Sequence, residues 1–189
     1  MIWNEVDVRS PRLEIHVQTK MLRHLVELYV TKRIDTILMS MKIAVAADHA
    51  GFPLKARIVA EIEKLGHEAT DLGGDGSNAL DDYPDYARDV AEAILAGRAE
   101  RAVLVCGSGA GVSVAANKFR GIRAATCHDS FSAHQCVEDD NCNVLCLGAR
   151  VVGPELAMEL VRDYVNAKFS GAERHKRRIA KIAEFEKQL

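Results

Sequence analysis

From Met41 onward the chain alternates between two hydrophobic rhythms. Short, nearly unbroken apolar runs at residues 42–47, 68–72, 102–106, 124–127 and 144–147 read as strands. Between them lie longer stretches whose apolar residues recur three and four apart, the spacing of a helix with one buried face. Residues 53–65 set Leu54, Ile58, Ile62 and Leu65 on one side, and Gly66 closes the segment. Residues 84–95 offer Val90, Ile94 and Leu95 as core positions, and a helical segment follows each of the last three strands. Strands that are apolar on both faces and alternate with helices predict an α/β fold. The layout is a doubly wound, mostly parallel five-stranded sheet with helices on both faces, Rossmann-like in arrangement. Such sheets bind ligands beyond the carboxyl ends of their strands, where the strand order reverses. Function is therefore sought in the loops 48–52, 73–83, 107–111, 128–130 and 148–151.

The first forty residues follow another pattern. Residues 19–31 place Met21, Leu22, Leu25, Val26, Leu28 and Tyr29 at roughly helical spacing, which permits an amphipathic helix. Six basic and five acidic side chains in residues 1–40 argue against a transit peptide, which would be poor in acids. Met41 stands directly before the first strand. Residues 1–40 are read as an N-terminal extension and residues 41–189 as one domain.

The remaining composition narrows the partners. A chain of 189 residues can bury a substantial core, and its formal charge of −2 gives no general attraction to nucleic acid or to an anionic membrane. An anionic ligand must be held locally. No apolar run approaches the roughly 18 residues of a membrane span. The five cysteines are odd in number, form no C-x-x-C pair and follow no secretory signal, so a reduced, cytoplasmic protein is expected. His128, Cys136, Cys142 and Cys146 have no common zinc spacing, and no metal is expected.

Candidate chemistry gathers at Cys106. The third strand delivers its thiol into Gly107, Ser108, Gly109, Ala110 and Gly111, followed by a helical segment at 112–118. Glycines let a ligand approach the backbone, and a helix start offers unpaired N–H groups that favour a thiolate. Cys106 can then serve as base or nucleophile, or be a buried core cysteine. Asp48 and His49 follow the first strand and belong at the same edge. Asp81, Asp82, Tyr83 and Asp85 are weaker candidates, since acidic residues suit the start of the next helix. Arg174 and Arg178 lie four apart in a basic carboxyl-terminal segment, so both could grip one phosphate, with Arg150 joining from the sheet edge. The glycines read G-x-G-x-G after the third strand, which disfavours a dinucleotide-dependent oxidoreductase.

The stretches KIAVAADHAGFPLK, VLVCGSGAGVSVAANKFRGIRAA, NVLCLGARVVG and ERHKRRIAKI resemble the ribose-5-phosphate isomerase B family, which includes the galactose-6-phosphate isomerase subunits. The resemblance runs from Met41 to about Phe185. It implies an aldose–ketose isomerase in which Cys106 moves a proton between adjacent sugar carbons. Gly107 to Gly111 would stabilise the enediolate through backbone N–H groups. Asp48 and His49 would bind the sugar, and Arg150, Arg174 and Arg178 the substrate, the last two chiefly its phosphate. Ser108 stands where many members have threonine, and either hydroxyl can assist ring opening. A homodimer with shared sites, or a tetramer built from it, is also implied. Neither metal nor redox cofactor is required by this reaction. The sequence departs from the family where a His-Asn pair precedes the NVL strand: here Asp139 and Asp140 occupy those positions. The histidine's ring-opening role would pass to His49 or His128, with Asp139 as an alternative donor. A tetrose phosphate would need no ring opener, so ribose 5-phosphate, erythrulose 4-phosphate and a hexose 6-phosphate all stand as substrates. A phosphosugar-binding regulator without chemistry is the non-enzymatic alternative.

Overall fold

A computed structural model describes residues 20–26 and 40–187. These fall into two units divided between Ser40 and Met41. In the first, residues 20–26 form helix α1, and the rest of the amphipathic stretch expected at 19–31 lies outside the described residues. Among the described residues no helix is long and apolar enough to cross a membrane.

The second unit alternates strictly. In order come β1 (Lys42–Ala47), α2 (Phe52–Lys64), β2 (Glu68–Asp71), α3 (Tyr83–Leu95), β3 (Arg101–Cys106), α4 (Ala110–Ala116), β4 (Ala124–Thr126), α5 (Ser130–Glu138), β5 (Val144–Gly148), α6 (Pro154–Asn166) and α7 (Glu173–Phe185). The sheet has the order β2-β1-β3-β5-β4, and every pairing is parallel. Strand order reverses between β1 and β3, which opens the crevice expected of a doubly wound sheet.

Local signals set the helix ends. Prolines occupy the first turns of α2, α3 and α6, where a missing N–H costs nothing. Asp129 caps α5 by accepting the Ser132 N–H at 2.8 Å. Gly66, at φ +87°, follows α2 in the left-handed conformation that ends helices.

Alternation along each strand divides the core. Ile43, Val45, Val103, Val105, Leu145 and Leu147 pack beneath one helical layer with Ile58, Ile62, Val161 and Tyr164 of α2 and α6. The other face carries Ala44, Ala46, Ala102, Leu104, Val144 and Cys146, packed with Ala87, Val90 and Ala91 of α3 and Val112 of α4. Small residues on both sides of that second interface let α3 lie close to the sheet. Leu95 departs from its expected core position: it is 55% exposed. The buried stripe of α3 runs through Ala87, Val90, Ala91 and Ala93, and Leu95 lies about 100° round the helix from Ile94.

Between β1 and α2 the backbone passes so near β3 that a Cβ on Gly51 would overlap the Val105 carbonyl oxygen. Gly51→Ala should therefore cost about 1–3 kcal/mol through forced backbone displacement. Chemical denaturation of the purified variant, with midpoint and slope compared to the parent, checks this.

Candidate active site

Three strand exits converge at the carboxyl edge of the sheet. Cys106 ends β3 and helps wall a cavity of about 320 Å³, completed by Asp48, Tyr83, Gly107, Ser108, Gly111, Arg150 and Val151. The sulfur is nearly buried, and the Gly109 N–H lies 3.1 Å from it. Gly109 achieves this at φ +79°. A side chain there would also press on Thr126 and the backbone of Leu147, so glycine alone fits.

The exit of β5 is zipped onto this turn. Ala149 N–H donates to the Cys106 carbonyl at 2.8 Å and Arg150 N–H to the Gly107 carbonyl at 3.0 Å. Gly148 packs on the Ser108 backbone, where a Cβ would stand 2.6 Å from its carbonyl carbon. The Arg150 side chain lies over Gly107. Ser108 is exposed, and its hydroxyl accepts a long bond of 3.4 Å from the Ala110 N–H. Asp48 is buried at the β1 exit, and its Oδ1 accepts the N–H groups of Ala50 (2.9 Å) and Gly51 (2.8 Å), which fixes the carboxylate at the cavity wall.

The two histidines at this edge stand outside the lining of the cavity. His49 turns its Nδ1 to Asp81 Oδ1 at 2.6 Å, while its backbone N–H donates to the same oxygen at 3.1 Å. The Tyr86 hydroxyl donates to Asp81 Oδ2 at 2.9 Å. Burial pushes the Asp81 carboxyl up, but the bonds from His49 and Tyr86 outweigh it and hold the group below the usual carboxylate range. Burial, reinforced by Asp81, pushes the Tyr86 hydroxyl up to about 12. His128 Nε2 accepts the Gly148 N–H at 3.2 Å, which leaves its Nδ1 for proton exchange.

Two contributors carried little signal in the sequence. The Tyr83 ring rests on Gly111, where a Cβ would meet it at 2.9 Å, and so forms part of the cavity wall. Tyr83 stood out only as part of an acidic helix start. Lys55 is a buried cation whose ammonium binds the Asp71 carboxylate at 2.9 Å, the Gly73 carbonyl at 3.1 Å and the Gly74 carbonyl. It fastens the loop that leads to Asp81 and Tyr83.

The other candidates lie elsewhere in the chain. Asp139 and Asp140 precede β5, whereas Gly148 at its far end pairs with Cys106. The five residues of β5 separate these edges by about 16 Å. Asp140 lines a separate groove with Arg123, Cys142 and Ile182 of α7. Arg174 and Arg178 are exposed on α7, whose start is tied to Asp139 through His175 and whose end is tied by Glu186 to the Gly121 N–H before β4. One chain thus carries two groups of candidate residues on opposite edges of its sheet.

A doubly wound sheet with a thiol, a buried carboxylate, a glycine turn and a guanidinium around one small cavity defines an enzyme for small polar substrates. The comparisons with known proteins give its kind. Residues 43–182 match the family model described as Ribose/Galactose Isomerase. Ribose-5-phosphate isomerase B of Escherichia coli is 43% identical over 147 residues, covering 78% of this chain and 97% of the relative. D-erythrulose-4-phosphate isomerase of Pectobacterium atrosepticum is 42% identical over 131 residues, 69% of this chain and 86% of the relative. The crystal structure of Mycoplasma genitalium ribose-5-phosphate isomerase B with bound ribulose 5-phosphate superposes with a TM-score of 0.74 at 38% identity, covering 78% of this chain and 97% of that one. The chain belongs to the ribose/galactose isomerase family and is an aldose–ketose sugar-phosphate isomerase.

The lowered Asp81 carboxyl has a consequence for acid stability. Its stabilisation is complete above the unfolded value of about 3.9 and is lost as the pH falls through the lower folded value. Asp81→Asn should therefore flatten the decline in stability below about pH 4, a change read from denaturation midpoints across an acid series.

Proposed function

We propose that this enzyme interconverts ribose 5-phosphate and ribulose 5-phosphate through an enediolate, with Cys106 as the base. The observation that carries the reading is the Cys106 sulfur in the cavity wall, with a backbone N–H on it and Asp48 and Arg150 beside it. The thiolate takes the proton from C2 of the open-chain aldose, and the electron pair moves onto the carbonyl oxygen. The O2 hydroxyl gives up its proton and O1 gains one, so that the negative charge passes from O1 to O2; the thiol then returns its proton to C1, and the C2 ketone forms. Gly109 N–H solvates the sulfur while it is charged, and the Arg150 guanidinium offsets the charge developing on the substrate oxygens. Asp48 orients the sugar hydroxyls. Ring opening falls to the Ser108 hydroxyl together with His49, whose Nε2 is the nitrogen left free by Asp81, or with His128 through Nδ1.

The separation of the two residue groups supports a homodimer in which each cavity is completed by a second copy. Asp139, Asp140, Arg174 and Arg178 of that copy would border the cavity, the two arginines binding the phosphate. A second reading replaces the pentose by D-erythrulose 4-phosphate. The Asp139 carboxylate is engaged by His175, with Oδ1 3.3 Å from its Nδ1, and so is poorly suited to donate a proton. A tetrose 4-phosphate cannot close a furanose ring through its phosphorylated carbon and needs no such donor. The Pectobacterium relative favours the same substrate.

Cys106→Ala should lower turnover by about 10²–10⁴ while a phosphosugar still binds. Near-normal turnover would assign the base elsewhere. Comparing kcat/KM across aldose phosphates from tetrose to hexose decides between the two substrates. In deuterated water the product should carry deuterium at the transferred position, and no turnover of any member of the panel would favour a binding protein. Mixing the Cys106→Ala and Arg174→Ala variants under exchange of subunits should restore about a quarter of parental activity at low substrate, because half of the dimers are mixed and each mixed dimer has one intact site.

A further inference from the structure

His175 is buried, 2% exposed, on a helix whose other described side chains are exposed or half-buried. Its Nε2 lies 2.8 Å from Nε of Arg174. A guanidinium nitrogen can only donate, so Nε2 must be the acceptor and the ring proton must sit on Nδ1. On Nδ1 that proton is hydrogen-bonded to the Ser170 hydroxyl, with 2.8 Å between nitrogen and oxygen, and the Asp139 carboxylate stands close by, its Oδ1 3.3 Å from the same nitrogen. Ser170 in turn donates its backbone N–H to the Glu138 carbonyl at 3.0 Å, next to Asp139, so both partners of the ring are held on one short stretch of backbone. Carboxylate, imidazole and guanidinium stand in series.

The order of that series has a chemical meaning. An arginine bound directly to a carboxylate gives up both charge and fork to its partner. Here the acceptor is a neutral ring nitrogen that consumes only the Nε–H. Arg174 keeps its full charge, and its two terminal amino groups remain for a bidentate contact with phosphoryl oxygens. An exposed arginine side chain otherwise loses its rotamer freedom when a ligand fixes it. Holding Nε in advance reduces that cost before the substrate arrives.

We propose that His175, set by Asp139 and Ser170, is the positioning residue of Arg174 and preorganises its guanidinium for the phosphoryl group of the substrate. The proposal rests on the reading of Arg174 as a phosphate ligand. It gives Asp139 a supporting role in place of proton donation.

The experiment uses the full chain and inorganic phosphate as probe, alongside steady-state kinetics on the best substrate of the panel. Arg174→Ala sets the scale of the phosphate contact. His175→Leu should weaken phosphate binding and raise KM about tenfold, the worth of one hydrogen bond to a charged group, with kcat within about twofold. His175→Gln, whose side-chain oxygen can accept the Nε–H, should recover most of that loss, which a merely space-filling role for His175 would not produce. Asp139→Ala, a partly exposed change that spares the core, should give a smaller shift in the same direction. In the parent protein, nitrogen-15 spectra should find His175 protonated on Nδ1 only. Parental phosphate affinity in folded His175→Leu and Asp139→Ala, with Arg174→Ala weakened, overturns the positioning role and leaves the phosphate reading standing. Unchanged affinity in Arg174→Ala as well overturns both. A proton on Nε2 overturns the relay whatever the kinetics, including where His175→Leu does not fold.

Discussion

The left-handed turn at Gly109 is the constraint on which the site depends. It alone allows the chain leaving β3 to fold back so that an N–H reaches the Cys106 sulfur, and the approach of Thr126 and Leu147 excludes any side chain at that point. The turn does not stand by itself. Its shape is held by the β5 exit, which donates two backbone bonds to the Cys106 and Gly107 carbonyls and brings Arg150 over the same loop. One backbone conformation therefore sets the sulfur, its donor and the neighbouring guanidinium together. That shared dependence is the preorganisation that the proposed proton transfer at carbon would rely on.

Around this turn the parallel sheet imposes a division of labour. Residues at strand exits can meet each other within one chain, whereas those preceding β5 or lying on α7 belong to the opposite edge. The proposed function places phosphate anchoring and proton abstraction on residues at different edges, so the geometry of a parallel strand makes assembly part of the proposed catalytic design. In that proposed design the buried His175 between Asp139 and Arg174 would give the anchor rigidity within its own chain.

Much of this was legible in the chain because the relevant signals are local. Apolar runs, prolines at helix starts and glycine after α2 specified the alternation, and the departure of β3 into glycines marked Cys106. The sheet is wholly parallel where the pattern allowed an exception. Leu95 shows the limit of periodicity: a large apolar residue next to the buried stripe suggested a core position, yet alanines at 87, 91 and 93 do the packing. Pairings between distant segments left no local mark. Asp81 looked like part of a helix start, and its bond to His49 requires the loop after β2 to cross the end of β1. Lys55 falls outside the apolar stripe read on α2, yet its ammonium is buried against two loop carbonyls. Asp139 and His175 lie far apart in sequence, and their contact exists only because α7 returns to the start of β5.

The alanine-lined side of the sheet bears on the shape of the cavity. Ala44, Ala46 and Ala102 sit under α3, and the first residue of α3 is Tyr83, whose ring forms one lip of the cavity. The height of that helix above the strands thus sets the position of the Tyr83 ring at the cavity. Side-chain volume at buried positions remote from the cavity thereby bears on where its tyrosine wall stands, with the thiol and its turn unchanged.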